Sequence, residues 1–133
     1  HYTGMKDGSK AIDWLANPDA KVSAHYVVSE DGQITHMVPE DKRAWHAGQS
    51  AWQGRENCND YSVGIELEGS DSQPFTAAQY AALWPLIGRL RARYPIRSLV
   101  GHCHVAPGRK TDPGPCFDWA RLRVALQHEE SGI

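Results

Sequence analysis

The segment from Ser98 to Trp119 constrains this chain most. From Pro107 to Pro115 it carries three prolines and two glycines, a density at which neither a helix ladder nor a sheet ladder can be continued. Leu99-Val100, just ahead of it, reads as a short strand. At Gly101 the character changes, and His102, His104, Lys110 and Asp112 follow within one short stretch. The expectation is a stiffened loop, neither helix nor sheet, that holds metal-ligand side chains in fixed places. Such a loop supplies two ligands of a catalytic metal site; the third ligand, a general base and a substrate groove must come from elsewhere.

The chain is 133 residues long with a net charge of −2, enough for one domain with a real core. There is no basic excess to attract nucleic acid or anionic lipid non-specifically, so neither is expected as a partner. No apolar run approaches the roughly 18–20 residues of a membrane span, and the longest, near Ala81–Ile87, is interrupted by Pro85. Three cysteines, Cys58, Cys103 and Cys116, have no close paired spacing, which reads as free thiols in a reducing compartment.

In chain order, His1-Tyr2-Thr3-Gly4 opens with no strand to carry it in, and further residues are expected before His1. Ser9–Asn17 reads as a short helix with Ser9 as N-cap and Asn17-Pro18 as its stop. Val22–Val28 and Gln33–Val38 form a hairpin through Glu30-Asp31-Gly32, in which His25 and His36 are hydrogen-bonded sheet histidines. Asp41–Arg55 is a glycine-punctuated loop. Its Trp45 and Trp52 suit either binding of a sugar or peptide, or plugging the core. Tyr61–Leu67 is a central strand with Val63, Ile65 and Leu67 on one face and Ser62, Gly64 and Glu66 on the other. A carboxylate there is costly unless it faces a polar site, and Gly64 leaves room for something to approach; Glu66 is therefore a catalytic candidate, whereas Glu68 is read as solvated. Thr76–Tyr94 is a long helix opened by a Thr76/Gln79 capping box and kinked at Pro85. Asp118 caps a last helix with a Trp119, Leu122, Leu126 stripe, and 129–133 reads as a tail. The alternation implies an α/β fold, one domain over 1–133 with a mixed central sheet flanked by helices.

Local spacing alone does not fix a metal site: there is no His-Glu-x-x-His and no paired Cys-x-x-Cys. The wording of successive segments says more. Ala44-Trp-His-Ala-Gly48, Cys58-Asn-Asp60, Gly64-Ile-Glu-Leu-Glu-Gly69, Gly101-His102, the run 106–115 and Phe117-Asp-Trp119 follow in that order. From His1 to about Arg121 the chain strongly resembles the type 2 N-acetylmuramoyl-L-alanine amidases, whose fold is shared with the peptidoglycan-recognition proteins. Within them it looks most like the cytoplasmic 1,6-anhydro-N-acetylmuramyl-L-alanine amidases.

That resemblance implies a Zn2+ site made by His1, His102 and Asp112, with the strand before His1 missing from this sequence and His104 and the loop cysteines as bystanders. Two imidazoles and one carboxylate leave a +1 site with an open position, which a catalytic zinc requires. It implies Glu66 as the catalytic glutamate and Lys110 as the cation that stabilises the oxyanion. Trp45, Lys21 and Leu67 are implied as substrate-binding residues. The second basic position of the family is Asn57 here, and the segment between His1 and Lys21 is shorter than in typical cytoplasmic members. The implied reaction is hydrolysis of the amide between (1,6-anhydro-)N-acetylmuramic acid and L-alanine, in cytoplasmic muropeptide recycling, with an anhydro-muropeptide or peptidoglycan as substrate. The alternatives are a broader periplasmic or lytic murein amidase and a peptidoglycan-binding module without activity.

Overall fold

The computed structural model describes residues 1–5 and 7–131. Its centre is a three-stranded sheet in the order β2-β1-β5, with β1 Tyr26–Val28, β2 Ile34–His36 and β5 Ile65–Leu67. β1 pairs antiparallel with β2, and parallel with β5 through Tyr26 opposite Ile65, Val27 opposite Glu66 and Val28 opposite Leu67. The sheet is thus mixed and covered by helices, as the sequence predicts. The opening residues extend it beyond β5. His1 N donates to Ile65 O at 3.0 Å, Leu67 N to His1 O at 2.8 Å, Thr3 N to Leu67 O at 2.9 Å and Gly4 N to Gly69 O at 2.8 Å, a parallel ladder that includes the Tyr2–Leu67 bridge.

The strands are shorter than their β-branched runs, because only the part of each run facing a partner is paired. The turn closes as Ser29 N donates to Gln33 O and Gly32 N to Ser29 O. A second small hairpin, β3 Ala51–Trp52 with β4 Arg55–Glu56, stands inside the long loop.

Helix α1, Gly8–Ala16, is capped by Asp7, whose carboxylate accepts from Ser9 N. The expected cap, Ser9, instead donates its own hydroxyl to Asp7. Asn17 ends the helix as predicted. α2, Ala77–Arg93, has the expected Thr76/Gln79 capping box and continues through Pro85. Gln79 does more than cap: it is buried, and its amide donates to Val28 O at 3.2 Å and Glu68 O at 2.8 Å, fastening the helix start to the sheet. α4, Trp119–Ser131, starts with Asp118 accepting from Arg121 N. The tail expected over 129–133 is helical through Ser131, and Gly132 and Ile133 lie outside the described residues.

Two of the apolar clusters of the core lie between the sheet and the helices. Val28, Leu67, Phe75, Tyr80, Leu83, Ile87, Phe117 and Leu122 form one, with Trp119 and Leu126 packed against it. Tyr26, Leu86 and Leu90 form the other, with Val63 and Ile65. Alternation along a strand then decides what lies opposite. Tyr26, Val28, Ile65 and Leu67 face α2, so Val27 and Glu66 face the other side.

Leu99-Val100 is not a strand. Leu99 packs on the core, but among the described residues the backbone at 99–100 joins no ladder. His102–Val105, expected as loop, is one helical turn, α3. The prolines and glycines that forbid a longer helix begin only at Pro107.

Candidate active site

β5 sends Glu66 away from the core, the opening segment brings His1 alongside it, and the loop around α3 contributes the rest. Among the described residues, His1, His102 and Asp112 form one group whose ligand atoms all lie within 4.8 Å of one another. His1 Nδ1 is 2.9 Å from Asp112 Oδ2, and His102 Nδ1 is 3.3 Å from Asp112 Oδ1. His102 and Asp112 are buried. A Cβ on Gly101 would come within 2.5 Å of Pro113 Cδ, so the two ends of the loop meet where only a glycine fits. Cys103 N closes the same contact by donating to Asp112 O at 2.9 Å.

The donor set suits a metal ion. Two imidazole nitrogens and a carboxylate converge, and the far nitrogen of each ring is engaged, as ligating histidines require. His102 Nε2 donates to Ala47 O at 2.8 Å, which leaves its Nδ1 lone pair toward Asp112. Arg109 bonds the same Ala47 carbonyl at 2.7 Å and Gln49 O at 2.8 Å, tying this loop to the one that carries Trp45. On the other side His1 Nε2 lies 3.0 Å from His46 Nδ1.

Electrostatics separate the groups by role. Burial would raise the Asp112 carboxyl, but hydrogen bonds with His1 and His102 hold it well below the usual carboxylate range. Burial works to lower His1, and the Asp112 hydrogen bond with the Glu66 and Asp112 charges outweighs it and raises it. Burial, followed by the charges on His1, His25 and His102, pushes His46 down to about 3 and keeps it neutral. Glu66 goes the opposite way from Asp112: burial pushes it up to about 7, with Asp112 adding to the rise and His1, His102 and Lys110 opposing it. Its Oε2 is buried with no hydrogen-bond partner among the described residues. A carboxylate raised to about 7 beside a polar cluster, with one buried oxygen left without a partner, is a candidate general base.

The other predicted residues fall in two places. Lys110 is exposed on the loop, its N–H donating to Ala106 O at 3.0 Å, and its charge is felt at both His1 and Glu66. Trp45 is 56% exposed, fixed by Trp45 N to Ser23 Oγ at 2.8 Å and Ser23 N to Trp45 O at 3.0 Å, with the Arg43 guanidinium over its ring. It shares an open groove of about 420 Å3 with Lys21, Leu15 and Pro18. Trp52 takes the other fate offered to the pair, packing on the Ala47, Cys58, Val105 cluster. Leu67 does not line the groove. It is 3% exposed in the core, with its N–H and C=O both taken by the opening segment, because its parity on β5 is opposite to that of Glu66.

His104 is turned away from the cluster: its Nδ1 accepts from Gly101 N at 2.8 Å and its ring meets Trp119. His25 is the buried, bonded sheet histidine expected, with Gly64 N donating to its Nδ1 at 3.0 Å. The cysteines are free thiols. Sequence reasoning passed over two residues. His46 lies against His1, and its signal was the glycine at 64, where a Cβ would be 2.5 Å from His46 Cγ. Glu68, read as solvated, accepts from Gly8 N at 2.8 Å and Glu30 N at 2.9 Å.

A mixed sheet whose face opposite the core carries a half-buried glutamate beside two histidines and an aspartate has a centre able to hold a metal ion. The N-acetylmuramoyl-L-alanine amidase family, Amidase_2, matches residues 1–115, and the chain belongs to that family of enzymes. It is 57% identical over 127 residues to the 1,6-anhydro-N-acetylmuramyl-L-alanine amidase AmpD of Citrobacter freundii, covering 94% of this chain and 68% of that protein. The crystal structure of a selenomethionine derivative of AmpD aligns with a TM-score of 0.77 at 51% identity, over 89% of this chain and 70% of that one. The Escherichia coli amidase AmiD, in complex with anhydro-N-acetylmuramic acid-L-Ala-D-γ-Glu-L-Lys, aligns with a TM-score of 0.88 at 40% identity, over 95% of this chain and 55% of that one. No helix among the described residues is long and apolar enough to cross a membrane.

Proposed function

We propose that this chain is a zinc-dependent amidase that cleaves the amide between the lactyl group of 1,6-anhydro-N-acetylmuramic acid and the L-alanine of its stem peptide. The observation that carries the reading is Glu66: a half-buried side chain whose Oε2 is buried and without a partner, its carboxyl raised to about 7, beside a His-His-Asp cluster. The donor set of His1, His102 and Asp112 fits zinc in charge and in number, with one position left open. Zinc supplies Lewis acidity there, which favours both an acidic water and a polarised carbonyl.

The protein's own groups carry the protons and the charge. Ionised Glu66 takes the proton of the attacking water and returns it to the alanine nitrogen as the C–N bond breaks. Lys110, on the rim, supplies a cation for the oxygen that gains negative charge. Trp45 and Lys21 share one groove, in which an aromatic surface suits sugar or peptide and an ammonium suits stem-peptide carboxylates.

A second reading, the same chemistry on a broader range of murein, has its own support. By sequence the chain is more like AmpD; by superposition it is more like AmiD, and Asn57 stands where a second basic residue would grip the peptide. Three free cysteines suit a reducing cytoplasm, and a periplasmic site is the counterpart of the second reading. Mass spectrometry of products from anhydro-muropeptides and from intact sacculi, with zinc quantified alongside, separates them. Stem-peptide release from the first substrate and not the second is the expected result. Release from sacculi alone would overturn the preference, and binding without cleavage in the presence of zinc would overturn the amidase activity.

A further inference from the structure

The cluster has a second layer on the His1 side that none of the roles above uses. Behind His1 Nε2 stands His46 Nδ1 at 3.0 Å, behind His46 Nε2 stands Ser62 Oγ at 3.2 Å, and Ser62 Oγ donates to Cys58 O at 2.6 Å. The carbonyl at the end of this chain can only accept, and that fixes every proton before it. Ser62 spends its hydroxyl proton on Cys58 O, so its oxygen accepts from His46 Nε2–H. A neutral imidazole with its proton on Nε2 has a bare Nδ1. His46 Nδ1 therefore accepts from His1 Nε2–H, and the neutral form of His1 keeps its lone pair on Nδ1, the nitrogen 2.9 Å from Asp112.

We infer that His46, backed by Ser62 and the Cys58 carbonyl, is a positioning residue that sets the tautomer and ring orientation of His1 for metal binding. The mirror device on the other ring is a backbone carbonyl, Ala47 O against His102 Nε2. A carbonyl accepts whatever donor meets it. A histidine acts as acceptor only when its own far nitrogen is held protonated, which explains why the arrangement on this side needs Ser62. It also gives a reason for glycine at 64. Any side chain there would begin 2.5 Å from His46 Cγ and drive the ring off His1.

The inference rests on the zinc reading, and the experiment keeps the two apart. Zinc affinity is measured by competition with a chromophoric chelator for the wild type and for His46→Leu, His46→Asn and Ser62→Ala, with circular dichroism to check folding. Leucine fills the space without an acceptor; asparagine places Oδ1 where Nδ1 stood. His46→Leu is expected to weaken zinc about 10–100-fold, His46→Asn to recover most of that loss, and Ser62→Ala to shift affinity the same way by less. A purely space-filling role predicts the reverse order, leucine near wild type and asparagine poor, and that result overturns the inference. Nitrogen-15 spectra of the zinc-loaded wild type add a reading that no variant's folding can disturb: a proton on His1 Nε2 is expected, and one on Nδ1 would overturn it. If the wild type binds no zinc, the zinc reading fails and this one with it. Tight wild-type binding, unchanged in His46→Leu, removes only the role of His46.

Discussion

His1 Nδ1 stands 2.9 Å from Asp112 Oδ2 across a sequence separation of 111. His1 is carried in by a parallel ladder on β5, and Asp112 is held by the contact between Gly101 and Pro113. The centre is therefore assembled where an edge segment of the sheet meets a stiff loop, on the face that β5 turns away from α2.

Asp112 is the joint of that assembly, because its two oxygens serve the two histidines separately. Asp112→Ala removes a ligand and both ring contacts at once. The expected outcome is a zinc content that falls from about one per chain toward zero, by atomic absorption, with amidase activity lost and far-UV circular dichroism kept. Retention of zinc would mean that the ligand set is another one.

Glu66 should separate metal binding from chemistry. Glu66→Gln keeps the shape and removes the base, so zinc content should stay near wild type while turnover falls by about 10²–10⁴-fold. A second consequence concerns stability in chelator-treated protein. The folded carboxyl is raised from the ordinary range to about 7, so between about pH 4.5 and 7 the folded state binds more protons than the unfolded one. Stability is then lost as pH rises through that window, by up to about 3 kcal/mol. Glu66→Gln should flatten this part of the profile in urea titrations at successive pH values. A profile identical to wild type would show that the carboxyl ionises on folding as freely as in water.

The helices and the outward orientation of Glu66 were legible because their signals are local. The Thr76/Gln79 box, the Asp118 cap and the parity of Tyr61–Leu67 each depend on residues a few positions apart. Resemblance, and not spacing, joined His1 to His102 and Asp112, since no local pattern records a ladder formed across more than sixty residues. What was misread turned on partners that sequence does not display. Leu99-Val100 has strand-like residues but no strand edge to join. Ser9 lost the cap to Asp7, two residues earlier. Leu67 shares a motif with Glu66 but has the opposite parity, so it belongs to the core. His46 was hidden because its partner is the histidine least anchored by local sequence.

Glu68 illustrates a structural role that resembles a solvated charge in sequence. One carboxylate oxygen accepts from Gly8 N, at the start of α1, and the other from Glu30 N, in the hairpin turn. It thus clamps two connections to the end of β5. Glu68→Ala leaves both N–H groups without that acceptor and should cost about 1–3 kcal/mol in urea unfolding, with zinc affinity close to wild type. Unchanged stability would mean that water replaces the carboxylate at no cost.

Gly101 offers the sharpest test of the loop, because it precedes one ligand and touches the neighbour of the other. An alanine there would set its Cβ 2.5 Å from Pro113 Cδ, and Asp112 O and Cys103 Sγ are also close, at 3.3 and 3.2 Å. These are ring and backbone atoms or short side chains, with little freedom to give way, so the loop itself must open. Every ligand survives in Gly101→Ala; only their separation changes. Zinc affinity should fall by about 10-fold or more, the scale on which disturbed support around a metal ligand is felt, and global stability by about 1–3 kcal/mol from overpacking. Supporting evidence would be a zinc-induced rise in melting temperature that is smaller than in wild type at equal zinc. If Gly101→Ala destabilised the apo-protein yet bound zinc as tightly as wild type, the approach of Gly101 to Pro113 would serve the fold alone, and Asp112 would owe its position to its bonds with the two histidines.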